Sequence, residues 1–155
     1  MKVEELMTTQ VFTVEPSDMI DRVFFLIHYE KVRHLPVVEK GKVIGMVSDR
    51  DMYKALGPKS NSKAIEVNKS GTELHVIPKK VQNIMRRGVI SVSPNTLVSD
   101  AAALMADKKI GALPVLDNES LVGILSSTDI LTVFSKLEHA KERREQRIAE
   151  GISHI

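Results

Sequence analysis

The chain contains two copies of one pattern. Residues 3–52 align with residues 81–130 at a constant offset of 78 without gaps, and 13 of the 50 pairs are identical. Unrelated sequences of average composition would share about three. The longest identical run matches Leu35-Pro36-Val37 to Leu113-Pro114-Val115. A unit of this length that occurs twice predicts two similar lobes that face each other, with sites that come in pairs.

The composition restricts the class of protein. Of the 155 residues, 43% are hydrophobic and 27% are charged, as in ordinary globular proteins. A single lobe of this size would have a marginal core, so we expect the two lobes to share an interface. The net charge of +2 is too small to indicate nucleic-acid binding by itself. The absence of cysteine excludes disulfides, thiolate chemistry and cysteine metal sites.

We expect no targeting signal in this sequence. No apolar run follows Met1-Lys2, and no apolar stretch is long enough to span a bilayer. The sequence therefore predicts a cytoplasmic protein.

The first copy predicts a strand, a helix, two strands and a second helix. Ser17 is a candidate N-cap for the first helix. The second of the paired strands is continuously apolar, which predicts burial on both faces. The predicted segments are strand Val11–Val14, helix Met19–Lys31, strands Leu35–Val38 and Val43–Val47, and a short helix from Ser48 to near Gly57-Pro58.

The second copy predicts the same order, and the remaining residues form a linker and a tail. We expect a loop with one added strand near Leu74–Ile77, and a charged helical tail that is either solvated or contacts a partner. The second copy's segments are strand Val89–Val92, helix Val98–Lys109, strands Leu113–Leu116 and Leu121–Leu125, and a helix from Ser126. The predicted domains are repeat 1 (1–57), a linker (58–80), repeat 2 (81–134) and the tail (135–155), whose contact residues would be Leu131, Phe134, Leu137 and Ile148.

The candidate chemistry follows the last strand of each copy, in Gly45–Asp51 and Gly123–Asp129. A serine begins a helix there, and an aspartate follows three residues later. Free N–H groups at a helix start favour phosphate, and an ionised carboxylate suits a pair of ribose hydroxyls. The glycine would leave room for a flat ring. The alternative is a capping box, in which the serine and the aspartate only satisfy backbone groups. The two roles are compatible.

These motifs, in the same order twice, resemble those of a CBS-domain pair, or Bateman module. The resemblance rests on Met7-Thr8, Val14-x-Pro16, Leu35-Pro36-Val37-Val38 and Gly45-x-x-Ser48-x-x-Asp51, and covers residues 3–52 and 81–134. A looser similarity is to small stand-alone CBS-pair proteins of the acetoin-utilisation group. The family implies an α/β fold of tandem β-α-β-β-α repeats packed as a pseudo-twofold pair, here with a charged C-terminal helix.

The resemblance also implies a function. Such pairs are non-catalytic sensors that bind AMP, ADP, ATP, S-adenosylmethionine or NAD in two clefts between the repeats, and they commonly form homodimers. The aspartate would hold the ribose, and the serine the phosphate or the ribose edge. The implied ligand-binding residues are Ser48, Asp51, Ser126 and Asp129 at the motifs; Val11, Leu35, Pro36, Met46, Val89, Leu113, Pro114 and Ile124 around the base; and Arg33, His34 and Arg50 near the phosphate.

The two copies differ in charge near the expected phosphate. Arg33-His34 and Arg50 of the first copy are replaced by Gly111-Ala112 and Thr128 in the second. Arginine forms bidentate contacts with phosphate, so this difference predicts two unequal clefts. Arg86-Arg87 is a further candidate for phosphate contact.

Other functions have weaker support in the sequence. The five histidines lack metal-ligand spacing, and no catalytic or Walker motif occurs. A structural dimer with unused clefts is one alternative. Nucleic-acid binding through Arg143, Arg144, Arg147, Lys79-Lys80 and Arg86-Arg87 is another, although 4% aromatic content without tryptophan offers few stacking platforms.

Overall fold

The repeat in the sequence is a repeat in the structure. The computed structural model describes residues 1–55, 63–66, 73–76 and 79–151. Each helix and strand of the second half that has a counterpart in the first begins 78 residues later. The elements are α1 (Ile20–Glu30), β1 (His34–Glu39), β2 (Lys42–Ser48), α2 (Asp49–Lys54), β3 (Lys63–Glu66), β4 (Glu73–Val76), β5 (Arg86–Arg87), α3 (Val98–Lys108), β6 (Ala112–Asp117), β7 (Ser120–Ser126) and α4 (Ser127–Ala149).

An antiparallel hairpin forms the centre of each half. β1 pairs with β2 and β6 with β7, and each pair has a register shift at the same place, after Val37 and after Val115. Both turns contain two residues with positive φ, Lys40-Gly41 (51° and 79°) and Asn118-Glu119 (49° and 69°). Positive φ at both turn residues gives the backbone twist with which a two-residue turn joins antiparallel strands. The paired strands predicted from the sequence are confirmed.

The predicted first strand of each copy is wrong. Within 11–14 and 89–92, the chain forms only single parallel bridges, Val14 to Val37 and Val92 to Val115. The Val14 N–H donates to the Pro36 carbonyl and the Val38 N–H donates to the Val14 carbonyl. The preceding bond of a parallel ladder would need an N–H on Pro36, which proline lacks. Pro114 ends the ladder in the second half in the same way.

The helices predicted from the apolar periodicity are confirmed, but α1 has a different N-cap from the predicted one. The N-cap of α1 is Met19 rather than Ser17, and its side chain makes no capping bond. Ser48 and Ser126 are the N-caps of α2 and α4, as predicted. The predicted end of α2 at Gly57-Pro58 lies outside the described residues. Although α4 has 23 residues, neither it nor another helix among the described residues is apolar enough to cross a bilayer.

The predicted two-sided burial of the second strand is also wrong. Along β2, Gly45 and Val47 are buried, whereas Ile44 and Met46 are half-buried. Val47 packs in the core and Ile44 packs against it, whereas Met46 lines the cleft described below. β2 therefore carries both core residues and residues that a ligand can reach.

The linker contains more strand than the sequence indicated. β3 and β4 form an antiparallel hairpin, where one added strand was expected. β4 covers Leu74–Val76 of the predicted extended run, while Ile77 and Ser70-Gly71 lie outside the described residues.

The two apolar cores exchange their leading segments. Val3 is fully buried in the core of the second half, and its N–H donates to the Thr96 carbonyl at 2.8 Å. Val81 is equally buried in the core of the first half, and its N–H donates to the Asp18 carbonyl at 2.8 Å. Residues 1–8 and 79–87, called here the crossing segments, thus pack against the other repeat. Each half needs the other to complete its core.

Candidate ligand-binding cleft

A cleft of about 470 Å³ lies between the two halves. This volume is within the range of small-molecule sites. The first half contributes the start of β1, the end of β2 and the start of α2. The second half contributes β5 with the residues that follow it, and the loop between α3 and β6. The lining residues are Arg33, His34, Met46, Ser48, Asp49, Arg50, Asp51, Arg86, Arg87, Gly88, Val89, Ile90, Lys108, Lys109, Ile110, Gly111, Ala112 and Ser127.

The second crossing segment builds one wall of the cleft. β5 pairs with β2, with Arg86 opposite Met46 and Arg87 opposite Gly45. A Cβ added at Gly45 would lie 2.5 Å from the Arg86 carbonyl oxygen and 3.1 Å from the Met85 sulfur. The glycine therefore admits the crossing strand, and the prediction that it leaves room for a flat ring is wrong. Gly123 does the same for the first crossing segment, because its Cβ would lie 2.5 Å from the Met7 sulfur.

Ser48 and Asp51 form a capping box at the edge of the cleft. The Ser48 N–H donates to Asp51 Oδ2 at 2.9 Å, and the Asp51 N–H donates to Ser48 Oγ at 3.2 Å. The Ser48 hydroxyl also donates to Asp51 Oδ2, at 3.0 Å. Among the described residues, Asp51 Oδ1 has no hydrogen-bond partner. The box holds one carboxylate oxygen and leaves the other available.

The backbone donors of α2 are already in use. The Asp49 N–H donates to the Arg33 carbonyl and the Arg50 N–H to Asp49 Oδ1, both at 2.9 Å. With the Asp51 N–H bonded to Ser48, the whole first turn is satisfied internally. The prediction of free N–H groups for a phosphate is therefore wrong at this helix. Recognition of negative charge would fall to side chains.

Ser126 and Asp129 form the same box at the start of α4. The Ser126 N–H donates to Asp129 Oδ2 at 2.9 Å, and the Asp129 N–H donates to Ser126 Oγ at 3.2 Å. Neither residue lines the described cleft. The interpretation of the motif as a capping box is thus correct in both copies, and a capping box remains compatible with ligand contact.

His34 lies at the meeting point of the two halves. A Cβ added at Gly111 would lie 2.8 Å from His34 Nε2, so the imidazole packs against this glycine of the second half. Burial lowers the pKa of His34 below its ordinary value of 6.5. The neighbouring carboxylates, led by Asp49, act to raise this pKa, and the guanidinium groups, led by Arg33, act to lower it. Arg33 itself pairs with Asp49 at 3.2 Å.

The structure brings some of the predicted site residues together and separates others. The predicted residues that line the cleft are Arg33, His34, Met46, Ser48, Arg50, Asp51 and Val89. Four predicted base contacts, Leu35, Pro36, Leu113 and Pro114, are buried. Val11 and Ile124 are half-buried and do not line this cleft. Val89 accompanies Met46 of the other copy, because the second crossing segment carries it there.

Several lining residues were not predicted from the sequence. They include Lys108 and Lys109 at the end of α3, and the apolar Ile90 and Ile110. A signal for the lysines existed: only three residues separate Lys109 from the repeated Leu113-Pro114-Val115, and Arg33-His34 just before the same run of the first copy were already candidates. Within the described ranges, no group of three or more potential metal ligands occurs.

Comparisons with known proteins match both repeats. The family model described as CBS domain matches residues 3–58 and 81–136. The chain is 34% identical to the CBS domain-containing protein YhcV of Bacillus subtilis over 128 residues, covering 83% of this chain and 81% of that protein.

Two solved structures share the fold and a modest level of sequence identity. One, described as an acetoin utilization protein (AcuB) from Vibrio cholerae, has a TM-score of 0.68 and 28% identity, covering 92% of this chain and 96% of that one. The other is CBSX2 in complex with AMP, with a TM-score of 0.67 and 29% identity, covering 88% of this chain and 98% of that one.

Proposed function

The chain belongs to the CBS domain family, and from that premise we propose that it is a non-catalytic sensor. It binds an adenosine-containing ligand in the cleft between its two CBS domains. The observation that carries this proposal is the available Oδ1 of Asp51, which lies in a cleft with both apolar and cationic walls. AMP, ADP, ATP, S-adenosylmethionine and NAD all carry the adenosine group.

The capping box gives Asp51 a fixed orientation toward the ribose. Its Oδ2 is held by Ser48, so the carboxylate cannot rotate freely. Oδ1 then accepts hydrogen bonds from ribose hydroxyls, which an ionised carboxylate does well. Ser48 Oγ is engaged with Asp51 on both sides, so its main part in binding is to orient the aspartate.

The base and the phosphate would use different walls of the cleft. Met46, Val89, Ile90 and Ile110 supply apolar surface from both halves, as most ligand pockets do. Arg33, Arg50 and the arginines of β5 supply fixed positive charge for phosphate. The AMP complex of CBSX2, a protein of the same fold with 29% identity, supports an adenosine nucleotide as the ligand.

A second site is proposed around Ser126 and Asp129. Its capping box shares the two backbone hydrogen bonds of the first, so Asp129 Oδ2 is held as Asp51 Oδ2 is, and we expect Asp129 Oδ1 to accept from ribose hydroxyls. The first crossing segment bonds to β7 there, since Thr8 and Ile124 exchange N–H···O bonds of 2.9 Å. Ile124 and Val11 would then contribute to a base site, as Met46 and Val89 do in the described cleft.

The test replaces the carboxylate without removing the cap. In Asp51→Asn the amide oxygen still accepts from the Ser48 N–H, so stability should fall by less than about 1 kcal/mol. The unpaired ribose hydroxyls should cost binding about 1–3 kcal/mol, which is roughly tenfold in Kd per 1.4 kcal/mol. Asp129→Asn is the matched variant outside the described cleft, and the double variant tests both sites.

Calorimetry on nucleotide-free protein gives the readout, with melting temperature as the control. Co-purified ligand must first be identified by denaturing the protein and analysing what is released. If the double variant melts normally and binds adenosine nucleotides as tightly as the parent, the aspartates are only caps. If the parent binds no adenosyl compound, the chain is better described as a structural module with unused clefts.

We also propose a homodimer formed through helix faces. Large apolar side chains are exposed on α1 and α4, with Tyr29 71%, Leu131 65% and Phe134 59% accessible. Phe25 and Tyr29 stack on each other at 5.8 Å on the surface of α1. A second copy of the chain would cover these faces.

A further inference from the structure

The described cleft is strongly positive. Six cationic side chains line it: Arg33, Arg50, Arg86, Arg87, Lys108 and Lys109. Only two carboxylates, Asp49 and Asp51, accompany them, which leaves a formal charge of +4 with His34 neutral. The whole chain has a net charge of +2. The positive charge is therefore concentrated at this cleft rather than spread over the molecule.

Most of this charge is not neutralised by the protein. Arg33 pairs with Asp49 at 3.2 Å, and Lys108 lies 3.9 Å from its neighbour Asp107. Within the part of the chain that the structure describes, Arg50, Arg86, Arg87 and Lys109 form no ion pair. These last four charges are available to a ligand.

The repeat provides an internal comparison, because the fold is the same in both halves. At the offset of 78, Arg50 corresponds to Thr128, Arg86-Arg87 to Thr8-Thr9, and Lys108 to Glu30. Among the positions that lie 78 residues away from a lining residue, the cations are Lys31 and Arg33 and the carboxylates are Glu30, Asp49 and Asp129. Their formal charge is −1. The fold alone therefore does not require a positive cleft.

Lys109 lines the cleft from the end of α3. Its φ is 56°, in the left-handed region where glycine is favoured at the end of a helix. Lys31 has the same conformation at the end of α1, with a φ of 53°, so a lysine at this position belongs to the repeated pattern; of the two, Lys109 lines the described cleft. With the backbone N–H groups of α2 already bonded, side-chain cations such as this one are what remains to meet phosphate.

We propose that this cleft selects adenosine nucleotides with two or three phosphates over AMP and over the sulfonium compound S-adenosylmethionine. The inference rests on the proposed adenosyl function and specifies the charge of its ligand. Each further phosphate meets unpaired guanidinium or ammonium groups through charge-assisted hydrogen bonds. A sulfonium cation would meet net positive charge instead and be repelled.

The experiment is calorimetric titration of nucleotide-free protein with adenosine, AMP, ADP, ATP and S-adenosylmethionine. ATP should bind at least about tenfold more tightly than AMP, the scale of one charge-assisted hydrogen bond. S-Adenosylmethionine should bind more weakly than AMP. Added salt should weaken ATP binding more than adenosine binding, because it screens the exposed charges.

Two variants locate the effect in this cleft. Lys109→Gly should weaken ATP binding several-fold while leaving adenosine binding unchanged. Lys31→Gly is the matched variant in the other half, since Lys31 has a φ of 53° at the end of α1 and does not line the described cleft. Both variants are titrated in the Asp129→Asn background, which weakens the second proposed site. Arg50→Thr, which introduces the residue type found at position 128, should also weaken ATP binding selectively, so the test does not depend on one variant.

The outcomes separate the two proposals. Equal or tighter binding of AMP or S-adenosylmethionine than of ATP would overturn the charge selection and leave the adenosyl function standing. Equal loss of ATP affinity in Lys109→Gly and Lys31→Gly would also overturn it. Failure of every adenosine compound to bind the parent protein would overturn the adenosyl function itself.

Discussion

Substituting Gly45 by alanine tests whether the crossing strand β5 depends on the absence of a side chain. The added Cβ would lie 2.5 Å from the carbonyl oxygen of Arg86, a backbone atom. Ordinary contact begins near 3.4 Å, so β5 must move by about 1 Å. The ladder between β2 and β5 joins only two residue pairs, so it has little capacity to absorb this shift.

The expected cost combines strain and lost hydrogen bonds. Overpacking of this kind costs about 1–3 kcal/mol, and each weakened backbone hydrogen bond adds about 0.5–1.5 kcal/mol. We therefore expect Gly45→Ala to lower the free energy of unfolding by about 3 kcal/mol. A glycine without such contacts would instead gain about 0.4–1 kcal/mol from the same change, so the sign of the effect is informative.

Gly123→Ala is the matched variant in the other half. Its Cβ would meet the Met7 side chain at 2.5 and 2.9 Å and the Thr8 carbonyl oxygen at 3.1 Å. A methionine side chain can rotate away, so this variant should lose at least about 1 kcal/mol less than Gly45→Ala. Adding Met7→Ala to Gly123→Ala should be less costly than the sum of the two single changes, by about 1 kcal/mol.

Urea unfolding of the parent, the single variants and the double variant, followed by circular dichroism, measures these differences at a constant m-value. Removing Met85 should not rescue Gly45→Ala, because the Arg86 carbonyl remains. The reasoning is refuted if Gly45→Ala is as stable as the parent, or if it is less destabilised than Gly123→Ala.

The buried imidazole of His34 and the exposed apolar face of α4 each have a measurable consequence. Because burial holds the pKa of His34 below 6.5 in the folded state, unfolded chains bind more protons as the pH falls through that value. Stability should therefore decline from pH about 7 downward, and His34→Gln should flatten this part of the urea-midpoint profile; an unchanged slope would contradict it. Phe134→Ser should convert a dimer to a monomer in light scattering with an unchanged circular dichroism spectrum, whereas a monomeric parent at tens of micromolar would contradict the proposed dimer.

Much of this protein's secondary structure could be predicted from its sequence because local interactions determine it. The hairpins, the helix periods and the capping boxes each depend on residues within a few positions of one another, as the Ser48–Asp51 bonds do. Because of the internal repeat, each prediction made for one half was also made for the other, including the incorrect ones. The predicted strands at Val14 and Val92 failed together, because Pro36 and Pro114 remove the same ladder donor.

The composition of the cleft was decided only by the tertiary structure. The sequence predicts two similar apolar cores, but it does not indicate which of them buries Val3 and which buries Val81. That choice depends on long-range packing, and it brings Val89 and Arg86-Arg87 beside Met46 and Asp51. The same packing places the Arg86 carbonyl beside Gly45. The Asp49 N–H donates to the Arg33 carbonyl, so it is not free for a phosphate. Local pattern therefore determined the two lobes, and the exchange of segments between their cores determined where the charges meet.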